Sequence, residues 1–463
     1  MTAKGNKNLF YVIFLLISFC ELSSSANSIW FNDTHLENDS THDFQVDKIT
    51  LSDFGSISSN GNKIFWFIQI SDTQFLWYDD NKISDFYELL NDTYKSIKPL
   101  FIYHTGDIVD ANQGLEQDVV EWQRYRKALN DNFMNESNYM DVIGNHDAIG
   151  DIDFRNFLNY SMMGHTFNKT QYSFNKSFNF GDFAFIGLNT AKKSYNIVEF
   201  GFLGFLSSKE LDWYESQLEK YKDFDRILVF GHHPIDYPPF YRIISAESSS
   251  GKSFDDLNKE YNVSYYLSGH IHENSFQFFN DDLLAITTSN FDADGGMYRI
   301  ISLDNNSLST SIGHVGIWPQ AIITHPAAED YLFRYLNIKD NKIRVLAWDP
   351  KGISSVEWSF FDKENKNQLT DWEPLERNFY DNLWQGDLKF KNRGELVLNI
   401  RIKGGSGTKL KKTRYYLEVI ERPVSFLILI IILAGFISIS VVLNHYYPNK
   451  TNKTAKIIKN KLL

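Results

Sequence analysis

Five apolar runs of this chain each end in a turn rich in Asp, Asn, His and Gly. The runs are nearly continuous in aromatic and β-branched residues, which is typical of strands buried on both faces. Segments with helical periodicity lie between them, the clearest beginning at the S-x-x-E capping box of Ser207 and Glu210. Strands that alternate with helices predict a layered α/β domain. The runs cover residues 64–70, 100–104, 139–143, 227–230 and 265–267.

The turns after these runs carry the side chains that a metal-dependent hydrolase requires. Open α/β sheets bind their ligands just outside the carboxyl ends of the strands. We therefore expect the five turns to meet at one edge of the domain. They read Asp72-Thr73-Gln74, Gly106-Asp107-Ile108-Val109-Asp110, Gly144-Asn145-His146-Asp147, Gly231-His232-His233-Pro234 and Gly269-His270-Ile271-His272-Glu273.

Hydrolysis of a phosphate ester develops charge on both the attacking and the leaving oxygen. Two divalent ions about 3.5–4 Å apart stabilise both charges and lower the pKa of a bound water. A mixed set of carboxylate, imidazole and amide ligands suits Mn, Fe or Zn. The sequence therefore predicts two divalent metal ions as the cofactor and a phosphate ester as the substrate.

The order and spacing of the turns resemble the calcineurin-like metallophosphoesterase superfamily, whose pattern is D-x-H, G-D-x-x-D, G-N-H-D, G-H-x-P and G-H-x-H. The resemblance implies an α/β sandwich of two mixed sheets flanked by helices. It also implies hydrolysis of a phosphomonoester or phosphodiester by metal-bound hydroxide. By the same resemblance, Asp72 and His272 hold the first metal, Asn145, His232 and His270 hold the second, and Asp107 bridges both.

The resemblance assigns catalytic roles within the third turn. His146 matches the family's catalytic histidine, which contacts the scissile phosphate and can protonate the leaving oxygen. Asp147 is expected either to orient His146 or to cap the following helix. We expect structural roles for the remaining histidines of this region, which are His104, His165, His233, His314 and His325.

Gln74 stands where the superfamily usually has a histidine ligand for the first metal. An amide oxygen is a poorer ligand than imidazole for a transition metal, so we expect the first ion to bind more weakly. The alternative to an enzyme is therefore a catalytically weak membrane receptor or adaptor built on the same fold. The otherwise complete set of metal ligands favours the enzyme.

The sequence changes character from about residue 340, where short alternating strands lack intervening helices. We predict a phosphoesterase domain at 60–320 and an Ig-like β-sandwich at 321–421. Three further segments, 121–125, 201–203 and 318–326, resemble the transmembrane protein 62 family. That resemblance implies a lumenal phosphoesterase domain followed by an Ig-like module and C-terminal membrane helices. The module is a candidate site for a protein partner.

Both ends of the chain carry membrane signals. An apolar run at 9–19, after Lys4 and Lys7, predicts a signal peptide at 1–26, with an uncleaved anchor or a buried helix as alternatives. About twenty uncharged residues from 424 predict one transmembrane helix at 424–446, with a buried core helix as the alternative. The lysine-rich tail at 447–463 predicts a cytoplasmic end. The expected topology is single-pass type I, with the catalytic domain lumenal or extracellular.

Charge and modification motifs agree with that location. The net charge of -12 excludes a general nucleic-acid binder, because such affinity requires excess Lys and Arg. Nine Asn-x-Ser/Thr triplets between residues 32 and 307 indicate a glycosylated surface in the secretory pathway. They begin at Asn32, Asn38, Asn91, Asn135, Asn159, Asn168, Asn175, Asn262 and Asn305.

Overall fold

The computed structural model describes eleven stretches of the chain. All of them lie in the unit Gln45–Leu463, and the other unit, Met1–Phe44, falls outside the description. So do the predicted signal peptide (1–26), transmembrane helix (424–446) and tail (447–463). Among the described residues, no helix is long and apolar enough to span a membrane. The stretches are 54–58, 61–111, 116–151, 153–191, 203–237, 241–279, 283–292, 295–328, 342–378, 382–388 and 394–417.

Strands make up most of the described secondary structure. They are β1 (Ser56–Ile57), β2 (Ile64–Ile70), β3 (Ile102–His104), β4 (Tyr139–Asp141), β5 (Tyr172–Phe178), β6 (Gly181–Gly187), β7 (Leu203–Leu206), β8 (Arg226–Phe230), β9 (Asp236–Tyr237), β10 (Tyr241–Ser245), β11 (Tyr265–Ser268), β12 (Ser275–Phe279), β13 (Leu283–Thr287), β14 (Met297–Asp304), β15 (Ser307–His314), β16 (Gln320–His325), β17 (Lys342–Trp348), β18 (Ile353–Asp362), β19 (Glu373–Pro374), β20 (Glu376–Arg377), β21 (Leu383–Asp387), β22 (Gly394–Gly404) and β23 (Gly407–Leu417).

The helices are fewer than the strands and lie in the first two thirds of the described chain. A π-helical turn, Leu89–Thr93, joins the first two of them. The helices are α1 (Asp80–Glu88), α2 (Tyr94–Ile97), α3 (Val119–Asp131), α4 (Asn145–Ala148), α5 (Arg155–Tyr160), α6 (Met162–Phe167), α7 (Ser208–Tyr221) and α8 (Phe254–Glu260).

Two mixed six-stranded sheets form the core of the α/β part. The first has the order β15-β14-β2-β3-β4, with β1 also paired to β2, and its β2, β3 and β4 are parallel. The second has the order β12-β13-β11-β8-β6-β5, with the four inner strands parallel and both edge strands antiparallel. The predicted α/β sandwich of two mixed sheets is thus confirmed.

Aromatic side chains fill the space between the two sheets. Phe65 and Phe67 of β2 contact Phe183 and Phe185 of β6, with ring centroids 4.7 Å and 6.3 Å apart respectively. Tyr103 of β3 stacks on a phenylalanine of β8 at 3.6 Å. These runs appear continuous in sequence because one face of each strand meets the opposite sheet and the other face meets helices.

Helices cover the outer faces of both sheets. On the second sheet, α7 buries Leu211, Tyr214 and Leu218 against the strands. Its predicted start is confirmed, because the Ser207 hydroxyl accepts from Glu210 N and the Glu210 carboxylate accepts from Ser207 N at 2.6 Å. Such a reciprocal cap stabilises a helix by about 1 kcal/mol.

Two four-stranded antiparallel sheets follow the α/β part. Their orders are β16-β17-β21-β20 and β19-β18-β22-β23, and one apolar cluster contains buried side chains of both. The last two strands form a hairpin, in which β22 and β23 pair from Gly404 and Gly407 outward. We refer to these strands, β16–β23, as the β module. Its assignment as Ig-like remains a prediction.

The β module is joined to the first sheet of the sandwich by a buried ion pair. Arg344 of β17 donates from Nε and Nη2 to the two carboxylate oxygens of Asp304 on β14, at 2.7 Å and 3.0 Å. Thr324 of β16 donates to the same carboxylate at 2.8 Å. The Trp66 and Trp348 rings also meet across the junction, 5.9 Å apart. The two parts therefore share one continuous core.

Lys411 of β23 makes the stability of this junction depend on pH. Its Nζ donates to Ser311 Oγ at 2.6 Å and to Ile312 O at 3.0 Å. Burial, with a smaller contribution from Lys409, lowers the pKa of Lys411 from 10.5 to about 7. Between these values the unfolded chain binds a proton that the folded chain does not, so stability rises with pH.

We expect the free energy of unfolding to increase as the pH is raised from about 7 toward 10. Urea titrations at several pH values measure this dependence. The variant Lys411→Met should have a flatter profile than the unaltered chain. Lys412→Met changes an exposed lysine on the same strand and should keep the original slope. Parallel profiles for the unaltered chain and Lys411→Met would contradict the assignment.

Candidate metal centre

The five predicted turns meet at the carboxyl ends of five parallel strands, β2, β3 and β4 of the first sheet and β8 and β11 of the second. Backbone hydrogen bonds join neighbouring turns within each sheet, from Asp72 N to Gly106 O at 2.9 Å and from Gly269 N to His232 O at 3.0 Å. Between the sheets, the Asp72 carboxylate accepts from His270 N at 3.0 Å. The turns therefore form a single continuous edge of the sandwich.

Strained backbone is concentrated in these turns. Left-handed φ angles are rare in residues other than glycine, asparagine and aspartate, and they cost free energy. Among the predicted metal ligands, five adopt φ between 43° and 76°. Such strain persists only where the surrounding structure enforces it, and it is typical of functional sites. The five residues are Asp72, Gln74, Asp107, His270 and His272.

Gly144 allows the second and third turns to approach each other. A Cβ at this position would collide with the backbone nitrogen and the carboxylate of Asp107. The glycine thereby lets the third turn lie against Asp107, where His146 N donates to Asp107 Oδ1 at 2.8 Å. The glycine before Asn145 thus has a steric cause in this chain.

His232 lies at the centre of the predicted ligands. Its Nδ1 is 2.8 Å from Thr105 O, so in the neutral ring Nδ1 carries the proton and Nε2 presents a lone pair. That Nε2 faces Asn145 Oδ1 at 2.9 Å, His270 Nδ1 at 3.2 Å and Asp107 Oδ2 at 3.3 Å. Four electron-pair donors thus converge on one point. A divalent cation at that point would satisfy all of them, so the residues fit a metal ion.

The charges around His232 also favour a cation. Burial lowers the pKa of His232, but the Asp107 and Asp72 carboxylates outweigh it and raise that pKa to about 9. Burial raises the pKa of Asp107, but His232 and His146 outweigh it and lower that pKa. The buried carboxylates therefore require a positive charge beside them. A metal ion can supply that charge in place of the proton.

His270 is held in the neutral state that a metal ligand needs. Burial, together with the neighbouring His233 and His232, lowers its pKa well below the ordinary value. The His270 Nε2 atom is buried and has no hydrogen-bond partner among the described residues. The lone pair of Nδ1 is consequently available to a metal at ordinary pH.

Asp72 and His272 form a second, adjoining group. Asp72 Oδ1 lies 3.3 Å from His272 Nε2 and is buried without a hydrogen-bond partner among the described residues. The Asp72 carboxylate raises the pKa of His272, and burial opposes it. The His272 side chain is 42% exposed, whereas that of Asp72 is fully buried. The centre therefore opens to solvent on the His272 side.

Gln74 is placed beside this second group by its backbone. Its N–H donates to Asp107 O at 2.9 Å, and its side chain is half-buried. Its φ of 43° is as unusual as those of the other ligands. Its role as a ligand of the first metal stays a prediction.

The His146 ring is oriented by Asp110. His146 Nδ1 lies 2.8 Å from Asp110 O, which fixes the proton on Nδ1 and leaves Nε2 3.9 Å from Asp107 Oδ2. Burial lowers the pKa of His146, but Asp107 and the Asp110 carbonyl outweigh it and raise that pKa. His146 is partly exposed, with 22% of its side chain accessible.

The Asp147 carboxylate binds backbone N–H groups of the second and third turns. It accepts from Gly144 N at 2.8 Å, from Ile108 N at 2.9 Å and from Val109 N at 3.1 Å. Burial, with Asp107 nearby, raises the pKa of Asp147 to about 7. Asp147 thus joins the two turns from within α4, and its predicted roles toward His146 and the following helix stay predictions.

Two contributions to the site were not predicted. They are the backbone carbonyls of Thr105 and Asp110, which the sequence does not mark. His104 has a structural role, as expected: its Nδ1 accepts from Gly106 N at 3.1 Å and its Nε2 lies 2.9 Å from Thr73 Oγ1. Burial lowers the pKa of His104 to about 3, so the ring is neutral and joins the first two turns.

Residues 65–274 match the family model described as Calcineurin-like phosphoesterase. That range begins in β2, ends after the fifth turn and contains every predicted site residue. The match therefore coincides with the part of the chain that builds the centre.

Two curated proteins are similar to this chain over a longer range. Transmembrane protein 62 of Mus musculus is 24% identical over 326 residues, which are 64% of this chain and 47% of that protein. A protein of Arabidopsis thaliana that is named as a metallophosphoesterase is 23% identical over 346 residues, which are 69% of this chain and 43% of that protein. The chain thus spans less than half the length of both relatives.

Among solved structures, a dimetal phosphatase from Danio rerio is similar over 54% of this chain and 95% of its own. The sequence identity is 13% and the TM-score is 0.39.

Proposed function

We propose that this chain, whose residues 65–274 match the calcineurin-like phosphoesterase family model, hydrolyses phosphate esters with two divalent metal ions. That match supports phosphoester hydrolysis in general. The choice between a phosphomonoester and a phosphodiester is part of the proposal and awaits substrate tests.

The proposal rests on one observation: three atoms that carry lone pairs lie within 3.3 Å of His232 Nε2. A single ring nitrogen cannot satisfy Asn145 Oδ1, His270 Nδ1 and Asp107 Oδ2 by hydrogen bonding at once. Buried polar atoms in native proteins are normally satisfied. A cation bound to all four is the arrangement that removes this conflict.

The proposed ligand sets follow from these positions. Asn145, His232 and His270 would hold one ion, Asp72 and His272 with Gln74 would hold the other, and Asp107 would contact both. When bound, the ion pair would stabilise charge on the attacking and leaving oxygens. Mn, Fe and Zn are the candidate metals for this mixed set.

His146 would deliver the proton to the leaving oxygen. The Asp110 carbonyl fixes the proton on Nδ1 and turns Nε2 toward the centre. The raised pKa keeps a larger fraction of the ring protonated near neutral pH. Asp147 would support this role indirectly, through the three N–H groups that hold the turn carrying His146.

Metal removal tests the proposal directly. The purified chain should hydrolyse an aryl phosphodiester or monoester when Mn²⁺ is present, lose that activity on treatment with a chelator, and recover it when Mn²⁺ returns. Loss of the metal ions would remove several kcal/mol of transition-state stabilisation, so the rate should fall about 10³-fold. Turnover that persists in the chelated protein would contradict a metal-dependent mechanism.

The amide at position 74 gives a second expected result. Gln74→His should strengthen binding of the first metal, because imidazole is a better ligand than an amide oxygen for a transition metal. Isothermal titration with Mn²⁺ and elemental analysis of the isolated protein measure the effect. Gln277→His, an exposed change on β12, serves as the control and should leave metal binding unaltered. Identical metal content in Gln74→His and the unaltered chain would refute this explanation.

Gln74 also supports an adaptor as the second candidate function. If the first metal is absent under working conditions, the chain would bind a partner without turning over a phosphate ester. Metal retention at the second site together with no hydrolysis of any tested ester would favour the adaptor over the enzyme.

We further propose a single-pass type I membrane protein with its catalytic domain in the secretory pathway. The sequence supports this through residues 1–26 and 424–446. All seven described glycosylation motifs have an asparagine that is exposed or half-buried. Glycosidase treatment of the protein from secretory membranes should increase its gel mobility. Full protease sensitivity in sealed microsomes would contradict the proposed orientation.

A further inference from the structure

We propose that Arg299 is a positioning residue that holds the turn carrying His272 and thereby sets the affinity of the first metal. The inference rests on the proposed function, because it takes Asp72 and His272 as ligands of that metal. It concerns a residue outside all five motif turns.

Arg299 lies on β14 and is 4% exposed. Its Nε donates to Thr288 Oγ1 at 2.8 Å, and its Nη1 donates to Thr310 Oγ1 at 3.0 Å. Its Nη2 donates to Asn274 Oδ1 at 2.6 Å and to Thr287 O at 3.1 Å. Arg299 belongs to the first sheet and Thr287 ends a strand of the second. The guanidinium therefore joins the two sheets at the edge where the metal ligands lie.

A chain of hydrogen bonds leads from Arg299 to His272. Asn274 Oδ1 accepts from Arg299 and also from Ser289 N, the latter at 3.2 Å. The Ser289 hydroxyl in turn donates to His272 O at 2.6 Å. Asn274 itself is exposed, and its side chain is held by the buried guanidinium together with Ser289 N and Met297 Sδ. The network thus ends on the backbone of a predicted metal ligand.

The backbone of His272 needs such support. Its φ is 53°, which a histidine adopts only when neighbouring contacts enforce it. Its side chain is 42% exposed, so packing alone does not fix the ring. Loss of the Ser289 and Asn274 contacts would allow the turn to relax and move Nε2 away from Asp72.

The same arginine also supports the beginning of the fifth turn. Thr288 Oγ1 accepts from Arg299 and donates to Gln69 Oε1 at 2.9 Å. Gln69 is fully buried and its Nε2 donates to Ser268 O at 3.0 Å, just before the fifth turn. The network thus lies beneath the turn at both of its ends.

The first metal should be the more sensitive of the two to this network. Its proposed ligands are Asp72, His272 and the weaker Gln74, whereas the second has two imidazoles and an amide gathered around one point. Changes to groups that orient metal ligands reduce metal affinity about 10- to 100-fold. A site that already binds weakly would then lose its ion.

Titration of the metal-free full chain with Mn²⁺, followed by calorimetry and elemental analysis, tests the inference without reference to activity. At the first metal site, Arg299→Met and Asn274→Ala should each bind Mn²⁺ about 10- to 100-fold more weakly than the unaltered chain. The affinity of the second metal site should be unchanged. The double variant should show little further loss, because both changes break the same connection. Asn274→Asp keeps the acceptor oxygen and should retain more affinity than Asn274→Ala.

Thr310→Val provides the matched control. It removes a different hydrogen bond of Arg299, on the side away from the metal turn, and should leave both affinities unchanged. If Arg299→Met does not fold, Asn274→Ala, at the exposed end of the network, and Ser289→Ala, next to His272, provide the test.

Two results would overturn the inference in distinguishable ways. Two tightly bound Mn²⁺ ions in the unaltered chain, together with unchanged affinities in Asn274→Ala and Ser289→Ala, would refute the role of Arg299 alone. An unaltered chain that binds no Mn²⁺ would refute the proposed function and this inference with it.

Discussion

Asp107→Asn is expected to lower kcat for phosphate-ester hydrolysis by about 10³-fold or more. Asp107 is the only predicted ligand common to both metals, and its side chain is 2% exposed. The change removes a charge that both ions require, and metal ions supply several kcal/mol of transition-state stabilisation. Because each 1.36 kcal/mol corresponds to a factor of ten, a loss of about 4 kcal/mol gives roughly this decrease. Steady-state kinetics in saturating Mn²⁺ measure it.

The substitution should leave the fold intact. Asparagine keeps an oxygen that can accept from His146 N, the contact that Asp107 Oδ1 makes at 2.8 Å. The thermal midpoint should therefore stay close to that of the unaltered chain. Asp182→Asn makes the same chemical change at an exposed position and should retain full activity. An Asp107→Asn protein with normal kcat would reject the proposed bridging ligand.

Arg344→Met is expected to destabilise the protein by about 3–5 kcal/mol. The change would leave the Asp304 carboxylate, which is fully buried, without its bidentate partner. Removing one member of a buried ion pair costs about this much, because the remaining charge stays desolvated. Urea denaturation followed by tryptophan fluorescence reports the loss, since Trp66 and Trp348 meet at the same junction.

The double variant Arg344→Met with Asp304→Asn separates charge burial from packing. Removal of the second charge should recover much of the lost stability, although the Thr324 contact is weakened. Arg155→Met, at an exposed surface pair, should cost less than about 1 kcal/mol. A cost below that value for Arg344→Met would contradict a junction held by this ion pair.

The α/β part of the fold was predictable because its determinants are local. Each parallel strand is a continuous apolar run, and the turn after it begins with a short polar motif. Ligands bind beyond the carboxyl ends of strands in such sheets. From the sequence alone, this rule predicts that the following residues lie close together: Asp72, Asp107, Asn145, His232 and His270. The capping box of Ser207 and Glu210 marks the start of α7 in the same local way.

The supporting contacts could not be predicted, because they join residues far apart in the chain. In the sequence, Arg299 is only a polar residue within the apolar run of β14. Its hydrogen bond to Asn274 joins residues 25 positions apart. The pair of Arg344 and Asp304 is separated by 40 residues and links two parts that the sequence treats as separate domains. Backbone carbonyls such as those of Thr105 and Asp110 carry no sequence signal at all.

Anomalous diffraction at the manganese edge, from crystals of the Mn²⁺-loaded protein, would locate the bound metal ions. The proposed two-metal centre predicts two anomalous peaks about 3.5–4 Å apart. One should lie among Asn145, His232 and His270, and the other beside Asp72 and His272, with Asp107 between them. A fully loaded crystal whose peaks lie away from these side chains would contradict it.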